Sequence, residues 1–213
     1  MFAENEFNKL MQRCKELPAA QNAYLVDDYI LNLFLTVLDF QMHNVSVGKA
    51  IEFYKRYRWN EIRTLADLNK FLARYADDKE GNTAAARYLW GNNHWKRLSL
   101  LRKLVTYFQT TGVTTQEKLY YWANTSNFED DFRGKVPGLS YAIYKWLIMR
   151  QGVETVKPDT HLKHFVESII DRSDFTEREL VESLENVAHQ LELKAYELDW
   201  WIWEYQKGAP GII

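Results

Sequence analysis

Apolar residues recur along this chain at spacings of three and four positions, and no stretch of four to eight residues alternates cleanly between apolar and polar. That is the pattern of helices with one buried face, not of strands. It predicts an all-α protein with helices over residues 4–17, 22–41, 47–57, 65–76, 84–90, 95–110, 115–124, 140–151, 160–171, 177–191 and 195–207. Several ends carry their own chemistry. Ser46 is placed to cap a helix starting at Val47, and Thr114, Thr115 and Glu117 offer capping groups at the next long start. Thr176 and Glu179, three apart and preceded by Asp174, have the spacing of a capping box. Gly152 follows a helical run ending in Met149-Arg150-Gln151, where a C-terminal glycine belongs.

Composition narrows the picture. With 9 Gly and 4 Pro in 213 residues, turn formers are too scarce for an all-β or collagenous chain, and 46% hydrophobic residues are enough for a sizeable core. The single cysteine, Cys14, rules out an intrachain disulfide framework, a four-thiolate zinc site and a four-cysteine iron–sulfur cluster. The longest apolar run, residues 29–40, is broken by Asn32 and Asp39 and falls short of the roughly 20 residues of a bilayer span. The N-terminal residues 1–15 are amphipathic rather than signal-like. The expectation is a cytoplasmic protein without a membrane association.

A net charge of −2 hides an uneven distribution. Residues 49–103 hold 13 Lys and Arg against 6 Asp and Glu, a net of +7, while residues 166–205 hold 3 against 11, a net of −8. Such polarity allows a basic face on a nearly neutral chain, although two differently charged sets of solvated helices would give the same count.

One turn stands out. Two of the nine glycines and one of the four prolines fall within Gly134-Lys135-Val136-Pro137-Gly138, between two helical patterns. With no side chain at Gly138, the N–H groups opening the next helix can cradle a phosphate oxygen, or the segment can be a plain helix–helix turn. Some twenty residues on, Pro158-Asp159-Thr160-His161-Leu162 forms a second loop-to-helix junction, and upstream Val37 to Ala50 ends a long apolar helix.

These three elements, in this order, resemble the helix-hairpin-helix DNA glycosylases (the HhH-GPD superfamily), with the endonuclease III branch nearest. Residues 38–50 look like its strand-separating loop, Val136 to Ser140 like its Leu-Pro-Gly-Val-Gly hairpin, and Pro158 to Leu162 like its Val-Asp-Thr-His motif. The resemblance implies a two-lobed helical bundle with a helix-hairpin-helix motif. One barrel-like lobe would span residues 22–133 and lead into the hairpin at 134–140; residues 1–21 and 141–213 would make the other, with Asp159 at the cleft.

The resemblance also implies roles. Asp159 matches the catalytic acid, a group the chemistry needs because cleaving a base from deoxyribose builds positive charge on the sugar. Asp159 is equally placed to cap the helix that follows. The lysine that lets some members cut the backbone falls on Ala142, and Lys145 lies a turn further on, so a monofunctional enzyme using water is implied, without lyase activity. Lys135, Val136, Pro137, Gly138, Leu139 and Ser140 would hold the DNA backbone, Ser140 standing where the family has glycine. Gln41 would fill the gap left by a flipped base, with Met42 and His43 beside it; without the resemblance these read as helix-end surface residues. Lys49, Lys96 and Arg97 are further phosphate candidates by charge. Trp122, Tyr120, Tyr121, Tyr141 and Tyr144 lie near the hairpin in sequence and could line a base pocket, although aromatics at helical spacing mostly fill cores. The ending, residues 198–205, reads as a closing helix.

The leading expectation is a monofunctional DNA N-glycosylase of base-excision repair, acting as a monomer on double-stranded DNA. No cofactor is implied beyond a monovalent cation at the hairpin. The alternative is a non-catalytic helix-hairpin-helix DNA-binding protein, and behind it a helical protein-interaction module.

Overall fold

A computed structural model describes residues 1–20, 25–39, 42 and 44–207. Among them the chain is all-helical: α1 (Glu4–Lys15), α2 (Tyr29–Leu38), α3 (Asn44–Tyr57), α4 (Leu65–Leu72), α5 (Lys79–Trp90), α6 (Trp95–Thr110), α7 (Gln116–Thr125), a single π-helical turn (Phe128–Phe132), α8 (Tyr141–Met149), α9 (Thr160–Ile170), α10 (Glu177–Gln190) and α11 (Ala195–Lys207). None of the helices described is long and apolar enough to cross a membrane.

Local chemistry moves several boundaries from those the hydrophobic pattern predicts. Residues 25–28 are not helical, because Asp28 is extended and its carboxylate accepts the Leu31 N–H at 2.8 Å, so α2 opens only at Tyr29. Asn44 already begins α3, which puts Ser46 inside the helix and not at its cap. Helix α5 starts five residues earlier than expected. Gly81 there is demanded by packing, since a Cβ would fall 2.2 Å from the Ala76 carbonyl oxygen, and Asp78 takes the Gly81 N–H at 2.7 Å. Thr115 is the cap of α7, and Thr176 with Glu179 forms the expected box on α10. Gly152 is left-handed at φ +85 and donates to the Met149 carbonyl, closing α8. The π-helical turn has no signature in the apolar spacing; Asn127 caps it, and the Arg133 N–H reaches back to the Phe128 carbonyl at 2.6 Å.

The chain divides into two compact units, Val26–Ser140 and the discontinuous pair Met1–Leu25 with Tyr141–Ile213. In the first, α2 is buried on nearly every side and packs on α3 and α6, while α5 packs on α3 and α6. Phe34 meets Tyr54 and Trp90 edge-on at 4.8 and 5.5 Å, and Trp122 meets Phe108 edge-on at 5.0 Å, so aromatic edge contacts help fill this core. In the second, α9 lies against α1 and α11, and α10 against the same two. Leu10, Cys14, Leu162, Val166, Leu184 and Ile202 are fully enclosed there. The basic segment 49–103 belongs wholly to the first unit and the acidic segment 166–205 wholly to the second.

Candidate active site

The turn at 134–140 is a tight structure fixed by two left-handed glycines. Gly134 sits at φ +71 and Gly138 at φ +100, conformations that side-chain-bearing residues rarely adopt. At Gly138 an added Cβ would also lie 2.7 Å from Leu100 Cδ2, so the end of that leucine side chain would have to shift. Val136 and Leu139 are buried and anchor the turn, and the Leu139 N–H donates to the Val136 carbonyl at 3.1 Å. Lys135, Pro137, Gly138 and Ser140 are exposed. Of the six residues expected to hold a DNA backbone, the side chains of Val136 and Leu139 are thus turned into the core, and the other four are at the surface. Lys103 Nζ reaches the Pro137 carbonyl at 3.5 Å, which puts an ammonium at this edge of the turn. Beside the turn a groove of about 690 Å³ is lined by residues that include Lys103, Lys135, Arg102, Asp130 and Asp131.

Asp159 caps α9. Its Oδ1 accepts the N–H groups of His161 at 2.9 Å and Leu162 at 3.3 Å. These two donors satisfy that oxygen and hold it at the mouth of the helix. The other oxygen, Oδ2, lies 3.7 Å from Lys157 Nζ, and the Asp159 side chain stays 22% exposed. Lys157 places its ammonium 4.8 Å from the centroid of the Trp146 ring on α8, and Arg150 approaches the same ring at 4.7 Å. His161 turns its ring toward Trp203 of α11, 6.4 Å between centroids, and Trp203 stacks on Trp200 at 5.0 Å. His161 Nδ1 is closed off from solvent without a hydrogen-bond partner among the described residues.

A second acid stands behind the first. Asp199 on α11 is 3% exposed, and its Oδ2 accepts the backbone N–H of Lys157 at 2.7 Å. Burial, and after it the nearby Asp159, push the Asp199 carboxyl up to about 8, while the Lys157 N–H and ammonium pull the other way. One residue thus touches both acids, by its backbone and by its side chain. Chemically, this is a partly exposed carboxylate beside an ammonium, and its neighbours Lys157 and His161 lie near the Trp146 and Trp203 rings.

The other expected residues fare differently. Gln41 and His43 lie outside the described residues, and Met42 is half-buried. Ala142 is half-buried, and Lys145 bonds Glu185 at 3.3 Å, engaged away from any sugar chemistry. Lys49 and Lys96 are exposed; Arg97 is half-buried, which lowers its pKa. Trp122 and Tyr144 belong to the cores, whereas Tyr120 and Tyr121 are open to solvent. Tyr141 is half-buried, its hydroxyl pushed up to about 12 by burial and then by Glu185.

Sequence reasoning missed Lys157, Trp146, Asp199 and Trp203. Residues 198–205 do more than close the fold, since α11 brings Asp199 to Lys157 and Trp203 to His161. One signal was available in the sequence: Leu198, Asp199 and Ile202 share an apolar face with helical spacing, and an acid on such a face needs a partner.

No curated protein and no solved structure matches the chain. The model of one family, described as a domain of unknown function (DUF8548), matches residues 8–207. Covering nearly the whole length, that match shows that the chain belongs to the DUF8548 family.

Proposed function

We infer that this protein is a monofunctional DNA N-glycosylase with a helix-hairpin-helix architecture, in which Asp159 is the reacting carboxylate. The observation that carries the reading is Asp159 itself: two backbone N–H groups fix one oxygen at the mouth of α9 while its side chain stays accessible. In the reaction the C1′–N bond of a damaged or modified nucleotide breaks, and its electron pair leaves with the base, which takes up a proton. Water oxygen bonds to C1′, and Asp159 accepts the proton that water loses. Its charge stabilises the oxocarbenium-like sugar in between. No Schiff base forms, because Ala142 stands where a lysine would be required. The hairpin, with exposed Lys135 and Ser140 and the left-handed Gly138, holds the phosphodiester in this reading.

The test is a panel of lesion-bearing duplexes scored for abasic sites rather than strand breaks. Wild type should release one class of base, and Asp159→Asn should abolish release while binding the same duplex with similar affinity; unchanged excision by that variant would remove Asp159 from the chemistry. One observation favours a second reading, a non-catalytic DNA-binding protein: Lys157 Nζ partly neutralises Asp159. That protein would bind duplex with steep salt dependence and leave every lesion intact.

A further inference from the structure

This inference rests on Asp159 as the reacting carboxylate and concerns a group that the hydrolysis does not use. Asp199 sits on α11 between Leu198 and Ile202, both fully enclosed, with its Oδ2 on the Lys157 N–H. An asparagine there would satisfy the same N–H without titrating, whereas an acid so deeply buried becomes costly once it ionises. Lys157 is the shared partner: its N–H goes to Asp199 and its Nζ to Asp159 Oδ2.

We propose that Asp199 is a positioning residue for Asp159: it fixes the Lys157 backbone so that the ammonium meets Asp159, and while it carries its proton it adds no second carboxylate charge beside that pair. Burial and the neighbouring carboxylate hold the proton on Asp199 up to about pH 8. Of the described elements packed on α11, the head of α9 and the loop before it supply the charged groups that act on Asp199, namely Asp159 and Lys157, and α10 supplies none. Once Asp199 ionises, two carboxylate charges stand near one ammonium. The extra negative charge beside Asp159 then repels an incoming phosphodiester. Capture of DNA weakens at alkaline pH, through KM rather than kcat.

Three full-length proteins test this. Asp199→Asn keeps an oxygen for the Lys157 N–H and loses the titration; Asp199→Ala loses both; wild type is the reference. In wild type the Asp199 carboxyl carbon and the Lys157 amide should shift together in NMR spectra with a midpoint near pH 8. The Lys157 shift should be absent in Asp199→Asn. On a lesion duplex that wild type processes, kcat/KM should fall about tenfold between pH 7 and pH 9 through KM, and stay within about twofold in Asp199→Asn. Asp199→Ala should lose about tenfold in kcat at pH 7, where wild type and Asp199→Asn are equal. A wild-type Lys157 amide without an alkaline transition, or the same transition in Asp199→Asn, overturns the proposal, and so does an Asp199→Ala protein as active as wild type. Should no duplex yield an abasic site, the glycosylase reading fails while the NMR titration still decides the Asp199–Lys157–Asp159 linkage; should Asp199→Ala fail to fold, Asp199→Asn decides it.

Discussion

The backbone N–H of Lys157 donates to Oδ2 of Asp199 across 42 residues of sequence. This bond ties the loop before α9 to α11, and it gives the fold itself a pH dependence. The folded-state pKa of Asp199 is raised to about 8, above the ordinary value of an aspartate in an unfolded chain. Its contribution to stability is therefore complete below about pH 4 and is lost as pH rises through the folded value near 8. Asp199→Asn, which does not titrate, should match wild type near pH 4 and exceed it increasingly as pH rises to 8, by up to about 1.4 kcal/mol for each pH unit crossed, with Tm following. Thermal melts of both proteins across that range check it. A Tm difference that does not grow with pH would mean that Asp199 titrates normally in the fold.

The helical class was legible in the sequence because a three-four spacing survives in almost every segment, and caps with a short-range chemical identity, such as Thr176 with Glu179, fell where expected. The starts of α2 and α5 were misplaced for reasons that apolar spacing does not carry. Asp28 and Asp78 capture N–H groups that apolar spacing ignores, and Gly81 reads as a turn until the approach of the Ala76 backbone shows why glycine is needed inside a helix. Asp159 was visible as a loop-to-helix acid. Its surroundings were not, because Trp146, Lys157, Asp199 and Trp203 meet only through the packing of α8, α9 and α11, and no local pattern encodes a contact spanning 42 residues.

A side chain at Gly138 should be costly chiefly through the backbone, and to a smaller extent through packing. Its φ of +100 strains an alanine wherever it is placed, and the Cβ would meet Leu100 Cδ2 at 2.7 Å. Gly138→Ala should lose about 1–3 kcal/mol in urea unfolding. Adding Leu100→Ala opens the space without altering φ, so the double variant should recover only the steric part relative to Leu100→Ala alone. Full recovery would show that the left-handed backbone costs nothing here.

Cys14 should behave as an inert thiol in the native protein. It is enclosed in the core beside Leu10, and burial pushes its pKa up to about 12, so little thiolate exists at pH 8 and none of it faces solvent. A soluble alkylating reagent at pH 8 should leave Cys14 unmodified over a time in which the urea-unfolded chain is fully labelled. Mass spectrometry of the intact protein reads both. Fast labelling without denaturant would show that α1 detaches from α9 and α10 far more readily than a buried core helix should.

Lys135 distinguishes a phosphate anchor from an ordinary surface lysine. It is exposed on the turn between the left-handed Gly134 and the buried Val136, and it lines the groove that Lys103 also borders. If this edge holds a DNA backbone, each ammonium lost should release about one fewer counterion. Lys135→Ala should then lower the slope of log K against log salt by about 0.9 and weaken binding similarly for all duplex sequences. Lys163 is the control: it pairs with Glu177 at 2.8 Å in the acidic unit, so Lys163→Ala should leave the slope unchanged. The excision-dead Asp159→Asn protein is the right background, because no product then complicates the titration. Equal slopes for Lys135→Ala and Lys163→Ala would detach the hairpin from DNA binding. A change at Lys135 alone would assign the phosphate contact to the turn, independently of whether any base is excised.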